Sequence, residues 1–326
     1  MSSKVVIIAI AVIILVAAGV ALSITHHGES GVVRVATLQG GISTLDLMAL
    51  EKPSSLGFKL VVLRLQKTPD IIAALEKGDA DLAIIPAEMA AKMILNGEKI
   101  VIVAVDMMQN QAILSLNNSL NGICSLAGKT VAAPVASGTF KMFKAYAKII
   151  CNLTVTRSGG NGSIRVVNTP PGTLAEALSS HGVDAIIAWE PIVSKCIVDL
   201  KAHIVDNYAS LWRKAGAGGE PVMLVWVARS DFASKNPGLL KKVIEDRVKA
   251  AREWVSDKDI VIKMLENTYK LSPEEASTLY SRVKIYTGGL TKSIIDSIRM
   301  EWWIAWKGGY LEENPSTIPD RVFYTQ

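Results

Sequence analysis

Three cysteines, four histidines and five phenylalanines are few for 326 residues, and each scarcity closes off a class of chemistry. Cys124, Cys151 and Cys196 have no metal-ligand spacing, so no metal site is expected. The histidines are His26 and His27 near the start, His181 at an expected helix end and His203 at a strand start, and none stands near a nucleophile motif such as G-x-S-x-G. The phosphate cradle G-x-x-x-x-G-K is missing as well. No catalytic residue and no cofactor is therefore expected, and the chain reads as a binder of a small molecule rather than an enzyme. Lys and Arg exceed Asp and Glu by 35 to 30, but they are spread along the chain without interleaved aromatics, so nucleic acid is not an expected partner. A net charge of +5 is compatible with a negatively charged small solute or an acidic headgroup surface.

Long hydrophobic runs are also lacking, with one exception at the start. Val5 to Ile24 carries 20 residues without a charge, enough to span a bilayer as a helix. Lys4 precedes it, which puts the N-terminus in the cytoplasm and everything after Ile24 outside. Residues 1–24 thus read as a transmembrane anchor. A cleaved signal segment ending near Ala21-Leu22-Ser23 is the rival, and the length favours retention. Residues 25–31 form a short tether. The sequons at Asn117, Asn152 and Asn161 agree with an outside location. If the helix opening near Thr139 runs back along the strand before it, Cys151 returns near Cys124. A Cys124–Cys151 disulfide then competes with two buried thiols, while Cys196 reads as a core residue.

The chain states one pattern twice. QKTPDIIAALEKGDADLAIIPAE, from Gln66 to Glu88, and TPPGTLAEALSSHGVDAIIAWEP, from Thr169 to Pro191, are in register: Asp81 and Asp184, Leu75 and Leu178, and Ala74 and Ala177 each stand 103 positions apart. Each copy opens with Thr-Pro before a helical run, with Ile71, Ile72 and Leu75 or Leu174, Ala177 and Leu178 on one face. Each helix is expected to stop at glycine, Gly78 or Gly182. A short run apolar on both faces follows, Leu82 to Ile85 or Ala185 to Ala188, as in a buried parallel strand. Two such units predict an α/β protein of two Rossmann-like lobes with a central cleft, preceded by the N-terminal transmembrane helix.

Reading in order, Val32 to Leu38 is a strand, Gln39-Gly40-Gly41 its turn, and Ser43 or Thr44 caps a short helix. Phe58 to Leu65, the first repeat copy and Ile100 to Val105 complete the lobe. Ala112 to Leu116 leads into a second lobe, whose loop Val135 to Thr139 opens a long helix. Gly216 to Pro221 is the return crossing. Lobe I is therefore expected over residues 32–110 and 218–326, and lobe II over 111–217. The helical remainder includes a capping box at Ser272 and a last helix whose Trp302, Trp303 and Trp306 read as packing residues.

Ligands of such sheets bind outside the carboxyl ends of the strands. Ser137-Gly138-Thr139 joins a close-approach glycine, two hydroxyls and a helix N-terminus that favours an anion. Its first-lobe counterpart is Gln39-Gly40-Gly41-Ile42-Ser43. Trp189 can cover a ligand, and Glu190, Glu88 and Glu220 offer carboxylates, so an amino-sulfonate zwitterion suits the site better than an inorganic anion.

The succession ALEKGDADLAIIPAE, SLAGKTVAAPVASGT, NTPPGTLAEALSSHGVDAIIAWEPIVSK and VMLVWVARSDFASKNPGLL resembles the nitrate, sulfonate and taurine family of ABC-transporter substrate-binding proteins, which have the type II periplasmic-binding fold. The resemblance covers most of the chain from Val32, weakening after about Asp257. It implies a monomer that clamps a small anionic or zwitterionic solute between its lobes and delivers it to a membrane permease with a cytoplasmic ATPase. By that resemblance the ligand contacts are Gln39, Gly40, Gly41 and Ile42; Pro86, Ala87 and Glu88; Gln109 and Asn110; Ser137, Gly138 and Thr139; and Trp189 with Glu190. The first loop lacks the aromatic many members place there, and no Lys, Arg or His falls in these motifs, which argues against a strongly basic, nitrate-type pocket. A retained anchor in place of a lipidated cysteine fits an archaeal cell without a conventional periplasm. Alternatives are a thiamine-precursor-like heteroaromatic stacked on Trp189, or a small-metabolite enzyme with Glu190 or Glu88 as general base.

Overall fold

The structure, a computed structural model, describes residues 31–51, 53–160 and 162–325. The expected anchor, nearly all of the tether and the sequon asparagine Asn161 lie outside the described residues; among those described, no helix is long and apolar enough to cross a membrane.

Two sheets organise the chain. The strands of the first are β1 (Val32–Leu38), β2 (Lys59–Leu65), β3 (Leu82–Pro86) and β4 (Ile100–Met108). The chain then enters the second sheet through β5 (Ala112–Ser115), β6 (Thr130–Ala133), β7 (Val155–Thr156), β8 (Ile164–Asn168), β9 (Ala185–Ala188) and β10 (His203–Asn207). It returns to the first sheet through β11 (Val222–Arg229). The spatial orders are β2-β1-β3-β11-β4 and β10-β5-β9-β6-β8-β7. In each sheet the repeat strand is central: β3 lies parallel to β1 and antiparallel to β11, and β9 lies parallel to β6 and antiparallel to β5. Central placement buries both faces, which is why Leu82–Ile85 and Ala185–Ala188 are apolar throughout.

The helices are α1 (Leu45–Met48), α2 (Thr68–Lys77), α3 (Ala87–Leu95), α4 (Gly138–Cys151), α5 (Leu174–Ser179), α6 (Ile192–Leu200), α7 (Tyr208–Lys214), α8 (Pro237–Ser256), α9 (Lys258–Tyr269), α10 (Pro273–Arg282) and α11 (Lys292–Lys307), with two further short helices over Pro53–Leu56 and Ser230–Lys235 and 3-10 turns between. Helix α2 ends as expected, with Gly78 left-handed at φ 78° and its amide on the Leu75 carbonyl. The second copy departs from expectation at both ends. Helix α5 begins only after a 3-10 turn over Pro171–Thr173, because Pro171 holds the preceding Pro170 in extended backbone at ψ 150°, and its left-handed exit residue is His181 at φ 57° rather than Gly182.

What the two copies share most closely is the aspartate. The Asp81 carboxylate accepts from the Arg34 backbone amide at 3.0 Å, and its own amide donates to the Arg34 carbonyl at 2.9 Å. Asp184 repeats this on Thr130, at 2.8 Å both ways. Each aspartate thus ties the start of its repeat strand to the neighbouring parallel strand.

The halves are joined on two sides of the space between the sheets. Helix α11 packs on both α3 and α4, and α10 packs on α6. Trp302 of α11 is wholly buried and donates its indole N–H to the Ala87 carbonyl at 2.8 Å. A disulfide links Cys124 and Cys151, with Cα atoms 5.5 Å apart, and Cys196 is a buried free thiol. Asn117 and Asn152 are exposed.

Candidate functional site

A cavity of about 50 Å³ lies between the two sheets at the carboxyl ends of β1, β3, β6 and β9. Since about 10–15 Å³ of such space holds one water, the room suits only a handful of non-hydrogen atoms. One wall is Thr37 and Leu38 at the end of β1 and Gly41 and Ile42 of the first loop, with Thr68, Ile84 and Pro86 beside them. The opposite wall is Ser137, Gly138 and Thr139 with Trp189 and Glu190; Asn110 and Gln111 of the crossing, Met107 and Met223 close the floor.

The Ser137 loop is built as an anion would need it. Ser137 is in extended backbone and its Oγ accepts from the Phe140 amide at 3.1 Å, capping the 14-residue α4. The remaining first-turn amides have no intrahelical acceptor and present the positive end of the helix dipole. Gly138 is required here by contact rather than by conformation: a Cβ would collide with the Glu88 carboxyl oxygen and stand 2.9 Å from the Pro86 ring.

The first loop differs. Neither Ser43 nor Thr44 caps α1 with its side chain, because carboxylates already occupy that end. The Ser43 amide donates to Asp46 Oδ2 at 3.0 Å, and both the amide and the hydroxyl of Thr44 are spent on Asp106. Tyr269 donates to the Gly41 carbonyl at 2.8 Å or to Asp46 at 2.6 Å, while Arg64 holds the other Asp46 oxygen at 2.9 Å. This loop is a braced apolar wall.

Between the walls, Gln111 donates to Thr139 Oγ1 at 3.1 Å and keeps its own Oε1 buried without a partner. Asn110 Oδ1 is likewise buried and unpartnered. Asn110 and Gln111, each with a buried carbonyl oxygen that has no partner, thus line the same cavity as the helix N-terminus.

Glu190 is wholly buried, accepting from the Ser194 amide at 3.0 Å and from Arg282 Nε at 2.6 Å. Burial pushes its carboxyl upward, and Arg282 opposes this. Arg282 comes from the end of α10 in the first half, so the ion pair bridges the halves. Sequence reasoning missed it: a single arginine 92 positions beyond Glu190, in the part of the chain where the resemblance fades, has no local signal. Trp189 serves as an anchor as much as a cover, since it is buried in the apolar cluster of the first half with Ile42, Met107 and Met223.

Of the expected contacts, Gly41, Ile42, Pro86, Asn110, Ser137, Gly138, Thr139, Trp189 and Glu190 come together around the cavity. Gln39, Gly40, Ala87, Glu88 and Gln109 do not line it. Gln39 is exposed and bonded to Gln66, and Gly40 opens onto empty space. Ala87 is a buried core residue whose carbonyl receives Trp302, and Gln109 clamps Val222 and Glu301. Glu88 points behind Gly138, where burial raises its carboxyl to about 8. Glu220 lies on the surface, 2.6 Å from Lys284. Among the described residues there is no cluster of three or more His, Cys, Asp or Glu that could hold a metal.

No family model matches the chain. By sequence it is similar to the taurine-binding periplasmic protein of Escherichia coli strain K12, 25% identical over 207 residues, a stretch covering 62% of this chain and 59% of that relative. By structure it is similar to the periplasmic aliphatic sulphonate binding protein of Escherichia coli, with a TM-score of 0.70 at 16% identity over 88% of this chain and 90% of the other. The alkanesulfonate-binding protein of Xanthomonas axonopodis bound to MOPS also matches, with a TM-score of 0.70 at 16% identity over 91% and 99%. The chain has the periplasmic-binding-protein fold, and the resemblance legible from Val32 onward is to ABC-transporter substrate-binding proteins of the sulfonate and taurine type.

Proposed function

We propose that the chain is the extracytoplasmic substrate-binding component of an ABC importer, capturing a small amino-sulfonate such as taurine between its halves. The observation that carries this reading is that the Ser137–Thr139 helix end shares one cavity with Asn110 and Gln111, each of which keeps a carbonyl oxygen without a partner. A sulfonate suits the amides and dipole of the helix end, and an ammonium group suits the carbonyls and Glu190. A simple anion would use only half of this arrangement. The small volume favours a compact solute over a heteroaromatic one, and the sulfonate and taurine relatives support the same choice.

On this reading lobe I (residues 32–110 and 218–326) and lobe II (111–217) part about the crossings at Gln109–Gln111 and Gly216–Pro221, and the protein acts as a monomer without catalysis. The apolar run from Val5 to Ile24 would hold it beside its permease and ATPase. Thermal-shift screening of the chain against taurine, alkanesulfonates, nitrate, bicarbonate and pyrimidines tests the ligand. Stabilisation by taurine and short alkanesulfonates is expected. Stabilisation by pyrimidines alone would replace the reading with a heteroaromatic binder, and turnover of any candidate would make the protein an enzyme.

A further inference from the structure

Behind Gly138, away from the cavity, two carboxyls are buried with no cation. Glu88, at the start of α3, is 2% exposed, and Glu301, in the middle of α11, is 0% exposed. Neither takes part in an ion pair among the described residues, and Glu301 accepts only from Gln109 Nε2, at 3.0 Å. Each charge buried in this way costs several kcal/mol unless it is paired or neutralised.

The groups around them come from both halves. Gly138 of α4 rests on the Glu88 carboxyl. Tyr146 of α4 and Tyr208 of α7 pack edge to face at 5.5 Å, and both feel the two carboxyls. The Tyr208 hydroxyl donates a hydrogen bond to the Thr139 carbonyl at 2.7 Å, whereas the Tyr146 hydroxyl, wholly buried, has no partner. Tyr310, after α11, is the remaining titratable neighbour of Glu88. The charged residues on the same helices stay outside: Lys92 and Lys141 lie over the outer ring of Tyr310, at 5.2 and 5.9 Å from its centroid, with Lys144 beside them.

Counting the unpartnered atoms identifies what is missing. Of the unpartnered buried atoms here, Glu88 Oε1, Glu301 Oε2 and Gln109 Oε1 are acceptors and the Tyr146 hydroxyl alone carries a donor hydrogen. The cluster is short of donors and carries surplus negative charge, and one species cures both: a proton on a carboxyl removes the charge and supplies an O–H.

We propose that the junction of the two halves is a proton-binding site, in which the Glu88–Glu301 pair takes up a proton from solvent as the halves come together and returns it as they part. The bookkeeping is simple. Carboxylate plus one solvent proton gives the neutral acid, whose O–H donates within the cluster, and separation of α4 and α7 from α3 and α11 wets the pair and lets it ionise. Joining of the halves is therefore favoured by acid. The sign follows from burial: a carboxyl held above its ordinary range in the joined state binds more protons there, so stability falls as pH rises from the ordinary glutamate range through about 8 and is level beyond.

The test is the melting temperature of the full chain from pH 5 to 9, without added ligand, alongside Glu88→Gln and Glu301→Gln. An amide is neutral at every pH, so the descending slope of the unsubstituted chain is expected to flatten in each variant and most in the double variant, where only the buried Glu190 and Asp106 carboxyls still contribute to it. An independent readout needs no substitution: carbonyl infrared difference spectra should contain a protonated-carboxyl band at pH 6 that disappears on ionisation above pH 8 and is lost from the double variant. A slope unchanged in the double variant, or no protonated-carboxyl band at pH 6, would overturn the proposal. So would a midpoint that follows sodium or potassium concentration at fixed pH, since the site would then hold a metal cation.

Discussion

The two halves are alike where they are built and unlike where they face each other. Both place a repeat strand at the centre of a sheet, and both fasten it with the same aspartate, Asp81 on Arg34 and Asp184 on Thr130. At the strand ends the likeness stops. The first loop spends its helix-end amides on Asp46 and Asp106, whereas the second keeps the end of α4 directed at the cavity, with Ser137 as its cap. A repeated framework thus carries one braced wall and one wall with a free helix N-terminus, and on the proposed function the anionic end of the ligand goes to the second.

The comparison can be broken most severely at the bridge between the halves. Arg282→Met leaves Glu190 buried and unpaired, which costs about 3 kcal/mol at the lower end for such pairs because Arg282 is partly solvated. Urea unfolding should show this loss, and a double Arg282→Met, Glu190→Gln chain should recover most of it. Next in size is Gly138→Val, whose branched side chain meets Glu88 and Pro86; about 2–3 kcal/mol of overpacking and loss of ligand binding are expected. The first-loop counterpart Gly40→Ala, in open space at φ 75°, should cost only about 1 kcal/mol of backbone strain and leave binding intact. Equal loss of binding in the two variants would show that the loops are equivalent after all.

The shared aspartates sharpen the likeness. Asp81→Ala strands the Arg34 amide and guanidinium and should cost about 2–3 kcal/mol, whereas Asp184→Ala strands one backbone amide and should cost about 1 kcal/mol. Smallest is Ser137→Ala, at about 1 kcal/mol for the lost cap, with a modest weakening of ligand affinity that calorimetry can resolve.

The framework was legible because it depends on local pattern. The doubly apolar runs from Leu82 and Ala185 became central strands, and the Ser272 capping box forms as spelled, with Ser272 Oγ and Glu275 trading backbone amides. The departures arise where a long-range partner overrides a local preference. Thr44 looks like a cap, but Asp106, 62 positions on, claims its hydroxyl. Glu88 follows a strand end, where a ligand contact is expected, but it falls in the first turn of α3, whose packing under Gly138 turns it inward. Arg282 and Glu301 have no pattern at all in the sequence, because their roles exist only once α10 and α11 have closed over the two halves.

The claim that the two walls clamp a small sulfonate is tested most directly by titrating taurine into the full chain and into Gly138→Val by isothermal calorimetry. Saturable one-to-one binding to the unsubstituted chain and none to Gly138→Val is the expected result. No heat with taurine or any short alkanesulfonate, or undiminished binding in Gly138→Val, would contradict it.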